Sequence, residues 1–519
     1  MGPMKITSHL GRVSRWRAAL AGLVVLTLAS TAGATWSIIA VNTRTKEICV
    51  SSATCLANFD LRLFLPVVVV GRGAGCAQSF VDNSGLNRQA IFNGLIAGHS
   101  PAQILQVLQQ IDPSFQTRQY GIVDMFNAPV TFTGSGAGVA KFGVTGINGE
   151  IRYAIQGNVL TGNQVVTDAE TAFLASTGDL STRVILAMEA ARALGGDGRC
   201  SCNPNAPTSC GVPPPNFVKS AHVGFMIDAR LGDTDGVCNA SVGCATGSYY
   251  FNFNVIGGVN SQDPVIQLGT QYQAWRTQQL GHPDGLNSLV FPGAQTLPAD
   301  GHTATSVDFT LLDIEGLPIT QGGATVTLTN VSGAPAVTTP SAVIDHGNGT
   351  YSFTLTAGLT QGEDQWKITV NDGVRPATLA PYLRMRVDPA FDLHCGFDEV
   401  SISRDTLVPF TFNLGPQAAG RRYWLLCSAH GTQPGTVFQG VPMPLNMDPF
   451  FVMSVRRGNT AVLPHSKALL DANGYAQAGF QTWQSNFTPL LGGRVDFSAI
   501  VFFGPNPVPT SGAGFDVMP

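Results

Sequence analysis

Charge is scarce in this chain: Asp, Glu, Lys and Arg make up 12% of its 519 residues. Basic residues are the scarcer sign. Beyond residue 34 there are 25 Lys and Arg against 33 Asp and Glu, a net charge near −8. That balance argues against nucleic acid or an anionic surface as the main partner. Long apolar runs are also lacking after residue 34, so no stable membrane insertion is expected. No H-E-x-x-H or similar pairing occurs among the nine histidines. Gly71-Arg-Gly-Ala-Gly75 breaks the G-x-G-x-x-G spacing and no helix is expected after it, which removes a dinucleotide loop. Asp233-Thr-Asp-Gly236 starts like a calcium loop but has no glutamate at the twelfth position. No cofactor and no metal are expected.

The first 34 residues read as an export leader. Lys5, Arg12, Arg15 and Arg17 form a basic start, Ala18 to Ser30 an apolar run, and Ala32 and Ala34 the −3 and −1 positions of a cleavage site. The mature chain is therefore expected in the periplasm, on the cell surface or outside the cell. Thr35 becomes its first residue, with the strand-like Trp36–Val41 directly behind it. A free α-amine beside a hydroxyl on a rigid strand is the apparatus of an N-terminal nucleophile. Low charge with 59 glycines and abundant Thr, Val and Asn points to several β-rich domains. The ten cysteines favour disulfides behind an export signal, eight before residue 245 and two, Cys395 and Cys427, after residue 390. Each group is expected to pair internally. Cys200-x-Cys202 lacks zinc-ribbon spacing, and His222 stands alone in the sequence.

Strands are expected at 36–42, 46–52, 63–70 and 75–80, then helices at 86–97 and from Pro101. Ser100, Pro101 and Gln103 make a capping box with proline at the first helical position. Strands at 120–126, 130–133 and 150–159 precede helices at 168–175 and 181–194, and strands at 222–230 and 248–256 precede a helix at 264–280. This alternation suits two stacked sheets with helices on both outer faces.

Several stretches carry a family resemblance. They are Thr35-Trp-Ser-Ile-Ile-Ala40, Ala77-Gln-Ser-Phe-Val81, Ser100-Pro-Ala-Gln-Ile-Leu105, Arg118-Gln-Tyr-Gly-Ile-Val-Asp124, Thr133-Gly-Ser135, Tyr153-Ala-Ile-Gln-Gly-Asn158 and Gly195-Gly-Asp-Gly-Arg199. In this order they resemble a bacterial and archaeal family of uncharacterised proteins, DUF1028, in the N-terminal-nucleophile-hydrolase-like superfamily. Two departures stand out. Ile48-Cys-Val-Ser-Ser-Ala-Thr54-Cys55 replaces a family strand that ends in arginine, and Cys200–Val218 reads as an insertion. The resemblance implies that Thr35 Oγ attacks an amide or ester carbonyl while its own α-amine takes the proton. Asn158 is a candidate amide donor to the oxyanion, the alternative being a turn residue bonded to its own backbone. Asp197 and Arg199 are a candidate charge pair near the terminus, the alternative being a tight turn. Gln78 and Lys46 are weaker candidates.

After a linker at 292–300, strands alternate with glycine turns to residue 389. Asp345-His-Gly-Asn-Gly-Thr-Tyr-Ser-Phe-Thr354 is similar to the signature of bacterial immunoglobulin-like and filamin-like repeats. The expected fold is thus α+β: a four-layer αββα sandwich at 35–290, an immunoglobulin-like β-sandwich at 301–389 and a β-rich unit at 390–519, with Cys395 bridged to Cys427. Two functions follow. One is hydrolysis of an amide in a small molecule or cell-envelope polymer, such as peptidoglycan fragments; the other is non-catalytic binding at the envelope. Homo-oligomerisation is allowed but not demanded.

Overall fold

The structure, a computed structural model, describes Gly2 and residues 35–519. The leader expected at 1–34 lies, Gly2 apart, outside the described residues. The first part runs β1 (Thr35–Asn42), β2 (Ile48–Thr54), β3 (Pro66–Val69), β4 (Gly73–Ser79), α1 (Leu86–Ala97), α2 (Pro101–Ile111), β5 (Arg118–Asp124), β6 (Val130–Thr133), β7 (Phe142–Asn148) and β8 (Ile151–Asn158). It continues through α3 (Gln164–Ala175), α4 (Leu180–Ala193), the short α5 (Gly198–Ser201), β9 (Val223–Ala229), β10 (Phe251–Ile256) and α6 (Pro264–Gln278). The capping box of Ser100 and Gln103 forms as expected. The strands make two antiparallel sheets, one ordered β10-β9-β2-β1-β8-β7 and one ordered β3-β4-β5-β6.

Three apolar cores hold this part together. Ile39, Val50, Val68, Val123 and Phe225 pack between the two sheets. Ile91, Leu95, Ile104 and Leu108 of α1 and α2 cover Tyr120 and Ile122 of the smaller sheet. Val165, Phe173, Val184, Met188 and Tyr272 of α3, α4 and α6 cover Ile38, Ile155 and Met226 of the larger one. Strand β1 is therefore buried on both faces. That is why Trp36–Val41 reads as a run of apolar residues broken only by Ser37.

Residues 289–388 form a β-sandwich. Leu289–Pro292, Ala304–Thr310, Thr350–Ala357 and Thr338–Pro340 make one sheet; Thr296–Pro298, Leu383–Asp388, Gly362–Asn371 and Thr325–Asn330 make the other. The stretch expected as a linker is thus part of the sheets: Thr296–Pro298 pairs in parallel with Leu383–Asp388. Buried and exposed residues alternate along Ala304–Thr310, as in a sandwich with one wet face. The remaining residues form a second, mainly β unit: a three-stranded and a six-stranded sheet around Phe410, Phe412, Phe480, Phe497 and Phe515, together with a two-stranded sheet and the helix Pro449–Arg456.

Three disulfides form: Cys55–Cys200, Cys202–Cys210 and Cys238–Cys244. The expected Cys395–Cys427 bridge does not; both are buried free thiols, as are Cys49 and Cys76. Cys395 pairs across its strand with Phe410 and Cys427 with Phe497, on different sheets. Those two rings meet at 4.3 Å between the sheets, tilted by 40°. The thiols instead donate to the carbonyls of Phe397 and Phe450. Cys49 faces the helices and Cys76 the opposing sheet, so the larger sheet separates them.

A buried charge network joins the first part to the sandwich. Arg230 reaches Asp284 at 2.6 Å, Asp228 at 3.0 Å, Asp179 at 3.5 Å and Glu47 at 3.8 Å, with Tyr250 stacked 3.5 Å from its guanidinium. Arg276 adds bonds to Asp179 and to Glu315 of the sandwich. Burial drives the Asp228 carboxyl up to about 7 and the Glu47 carboxyl well above its ordinary range.

Candidate active site

Alternation along β1 sends Ser37, Ile39 and Val41 toward the smaller sheet and Trp36, Ile38 and Ala40 toward the helices. By the same period Thr35 faces the space between the sheets. That space is apolar at one end and polar at the other. At the polar end Thr35 lies opposite Thr54 on β2 and Asn158 on β8.

A chain of buried amides fixes this end. Ser37 Oγ donates to Gln78 Oε1 at 2.7 Å, and Gln78 Nε2 donates to the Thr35 carbonyl at 3.1 Å and to Gln119 Oε1 at 2.7 Å. Gln119 Nε2 donates in turn to the Gly157 carbonyl at 3.0 Å and to Thr133 Oγ1 at 2.9 Å. An unpaired buried amide costs about 1–3 kcal/mol, so the lattice is all-or-none and pins the Thr35 backbone. Gly121 leaves room for Gln156, whose amide a methyl group there would meet at 2.7 Å.

The predicted charge pair forms one strand away. After α4, Gly195 and Gly196 take left-handed φ values of 97° and 54°. A methyl group on Gly196 would come within 2.6 Å of the Trp36 ring, so the chain passes there only as glycine. Asp197, fully buried, then caps α5 and accepts from Arg199 Nη2 at 2.8 Å and Nε at 3.2 Å. The backbone N–H of Cys55 also donates to it at 2.8 Å. Arg199 Nη2 lies 3.4 Å from Thr54 Oγ1, and the Cys55–Cys200 disulfide ties the same turn to the end of β2.

Thr35 thus pairs with Asn158 and Thr54, and Arg199, paired to Asp197, reaches Thr54. The Asn158 amide donates to Ser79 Oγ and to the Ala137 carbonyl, both at 3.1 Å, so both its protons hold the loop before β7 against β4. Gln78 joins the site. Lys46 does not: it sits in the turn after β1, roughly 25 Å along the strand, its ammonium 5.2 Å from the Phe126 ring.

Sequence reasoning missed Ser37, Thr54, Gln119 and His222. The first three are buried on strand faces that the opposing sheet covers. Their signal was a period-2 polar series aligned with Thr35. His222 follows the insertion and bonds the Thr54 carbonyl through its backbone N–H at 2.9 Å.

Residues 35–205 match a family model described as a family of unknown function, DUF1028, and residues 286–380 match one described as invasin, domain 3. No curated protein matches this chain. Among solved structures, a DUF1028 protein from Silicibacter pomeroyi is 18% identical, covering 46% of this chain and 88% of its own, with a TM-score of 0.33. The Yersinia pseudotuberculosis adhesin InvE is 19% identical over 44% of this chain and 58% of its own, at a TM-score of 0.17. The Escherichia coli adhesin FdeC is 13% identical over 78% of this chain and 91% of its own, at 0.18.

Proposed function

We propose that residues 35–290 form an αββα sandwich of the N-terminal-nucleophile type, and that leader removal exposes Thr35 as the nucleophile of an exported amide hydrolase. One observation carries this reading: the residue directly after the expected cleavage site stands at the polar end between the two sheets, held through its carbonyl by Gln78. The β units at 289–388 and 390–519 would then display the enzyme at the envelope, and the substrate would be an amide of a small molecule or envelope polymer, peptidoglycan fragments included.

In this mechanism Thr35 Oγ1 bonds to the substrate carbonyl carbon as its proton passes to the Thr35 α-amine. The α-ammonium returns that proton to the leaving nitrogen as the C–N bond breaks, which leaves an ester on Thr35. Water, deprotonated by the same amine, cleaves the ester and restores the hydroxyl. An α-amine titrates near 7.7–8.0, so much of it is neutral at neutral pH.

A second reading is favoured by the Asn158 amide, whose protons are both already committed. Here the chain is a non-catalytic envelope-binding protein, a reading supported by the match of residues 286–380 to the invasin domain 3 model. Assay of exported wild type, Thr35→Ala and Thr35→Ser on a panel of acyl amides separates the two. Turnover that Ala abolishes and Ser retains supports the enzyme; no turnover by any of the three supports the binding protein.

A further inference from the structure

The end of β2 holds a cluster that the Thr35 chemistry does not use. Among the described residues, the ligand atoms of Cys55, Cys200 and His222 all lie within 4.8 Å of one another. His222 is 9% exposed, and its ring Nδ1 is buried with no hydrogen-bond partner among those residues. A buried imidazole nitrogen without a partner is uncommon and asks for a ligand. Its position is fixed, because its backbone N–H bonds the Thr54 carbonyl and its chain neighbours Ala221 and Val223 are both buried.

We propose that Cys55, Cys200 and His222 form a two-thiolate, one-imidazole site for a thiophilic divalent cation such as zinc once their disulfide is reduced. A dithiol reductant supplies the electrons: it becomes the cyclic disulfide while the Cys55–Cys200 bond opens to two thiols. The cation then displaces both thiol protons. Zinc binds sulfur at about 2.3 Å and nitrogen at about 2.0–2.1 Å, so tetrahedral ligand atoms lie roughly 3.5–3.8 Å apart, within the reach of this trio. Three protein ligands leave one position for water. Oxidised or metal-bound, the trio ties α5 to the strand end opposite Thr35. The staple thus survives a change of redox state.

The test uses the full exported chain, a phosphine reductant and Co2+ alone, followed by Zn2+ as competitor. Reduced wild type should bind one equivalent of Co2+ with thiolate-to-cobalt charge-transfer absorption, displaced by Zn2+, whereas the oxidised protein shows no such band. Cys55→Ser/Cys200→Ser should abolish the band, His222→Ala should weaken binding at least tenfold, and Cys202→Ser/Cys210→Ser should leave it unchanged. No band in reduced wild type, an equal band in Cys55→Ser/Cys200→Ser, or unchanged affinity in His222→Ala overturns the proposal. Should reduction alone unfold the chain, Zn2+ added beforehand must preserve its circular dichroism; failure to do so equally overturns it.

Discussion

The Arg230 network makes the stability of the first part fall as pH rises, an effect that Asp228→Asn should remove. Four carboxylates, Glu47, Asp179, Asp228 and Asp284, face this one guanidinium, and Arg276 assists only at Asp179. Glu47 Oε1 and Asp228 Oδ1 are buried without hydrogen bonds among the described residues. The Asp228 carboxyl rises from 3.8 to about 7 through burial, and Glu47 rises in the same network, so the pair is counted as holding one proton. Between pH 4 and 7 the folded chain keeps a proton that the unfolded chain has released. Stability is therefore highest near pH 4 and is withdrawn at ~1.4 kcal/mol per unit, about 4 kcal/mol over the window. Asp179 and Asp284 are shifted down, so their contributions are lost only at lower pH. In Asp228→Asn the carboxamide oxygen still accepts from Arg230 Nε, the Asp228 titration is gone, and Glu47 loses the neighbouring carboxylate that helps to raise it. From pH 5 to 7 the wild type should lose about 3 kcal/mol more than the variant. That is roughly 5–10 °C in the calorimetric midpoint of a unit this size. Parallel pH profiles, or a wild type that gains stability relative to the variant over this range, would refute the reasoning.

Other perturbations have equally definite outcomes. Without reductant, a thiol-specific chromophore should detect none of the cysteines in the folded protein and four in denaturant, namely Cys49, Cys76, Cys395 and Cys427; two would mean that one pair is bridged. Gly157→Ala places a methyl group 2.8 Å from Leu160 and 3.1 Å from Trp36, and should cost about 1–3 kcal/mol in thermal unfolding. Asp197→Asn leaves Arg199 without its buried counter-charge and should cost about 3 kcal/mol. Asp197→Asn/Arg199→Gln should recover part of that loss, which a double-mutant cycle measures.

Elements built on local signals were legible in the sequence. The capping box of α2 and the apolar run of β1 each describe a short segment whose neighbours do not alter its meaning. Strand β7 was missed because Gly143 and Gly146 dilute its pattern. They are glycines because methyl groups there would meet Thr131 at 2.6 Å and the Tyr153 side chain, a demand made by neighbouring strands. The polar lattice was missed for a related reason. Ser37, Gln119 and Gln156 look like residues of a wet face until a second sheet is known to cover them. Cysteine parity misled at Cys395 and Cys427, where export favours oxidation but the Phe410–Phe497 ring pair lies between the two strands. Cys55 and Cys200 stand 145 residues apart, so only the fold brings them to His222.

The most direct test of Thr35 as an N-terminal nucleophile is N-terminal sequencing, with intact mass, of the protein exported by its own leader. The proposed chemistry requires a chain that begins at Thr35 with a free α-amine. A chain that begins even one residue earlier would keep that amine in a peptide bond and contradict it.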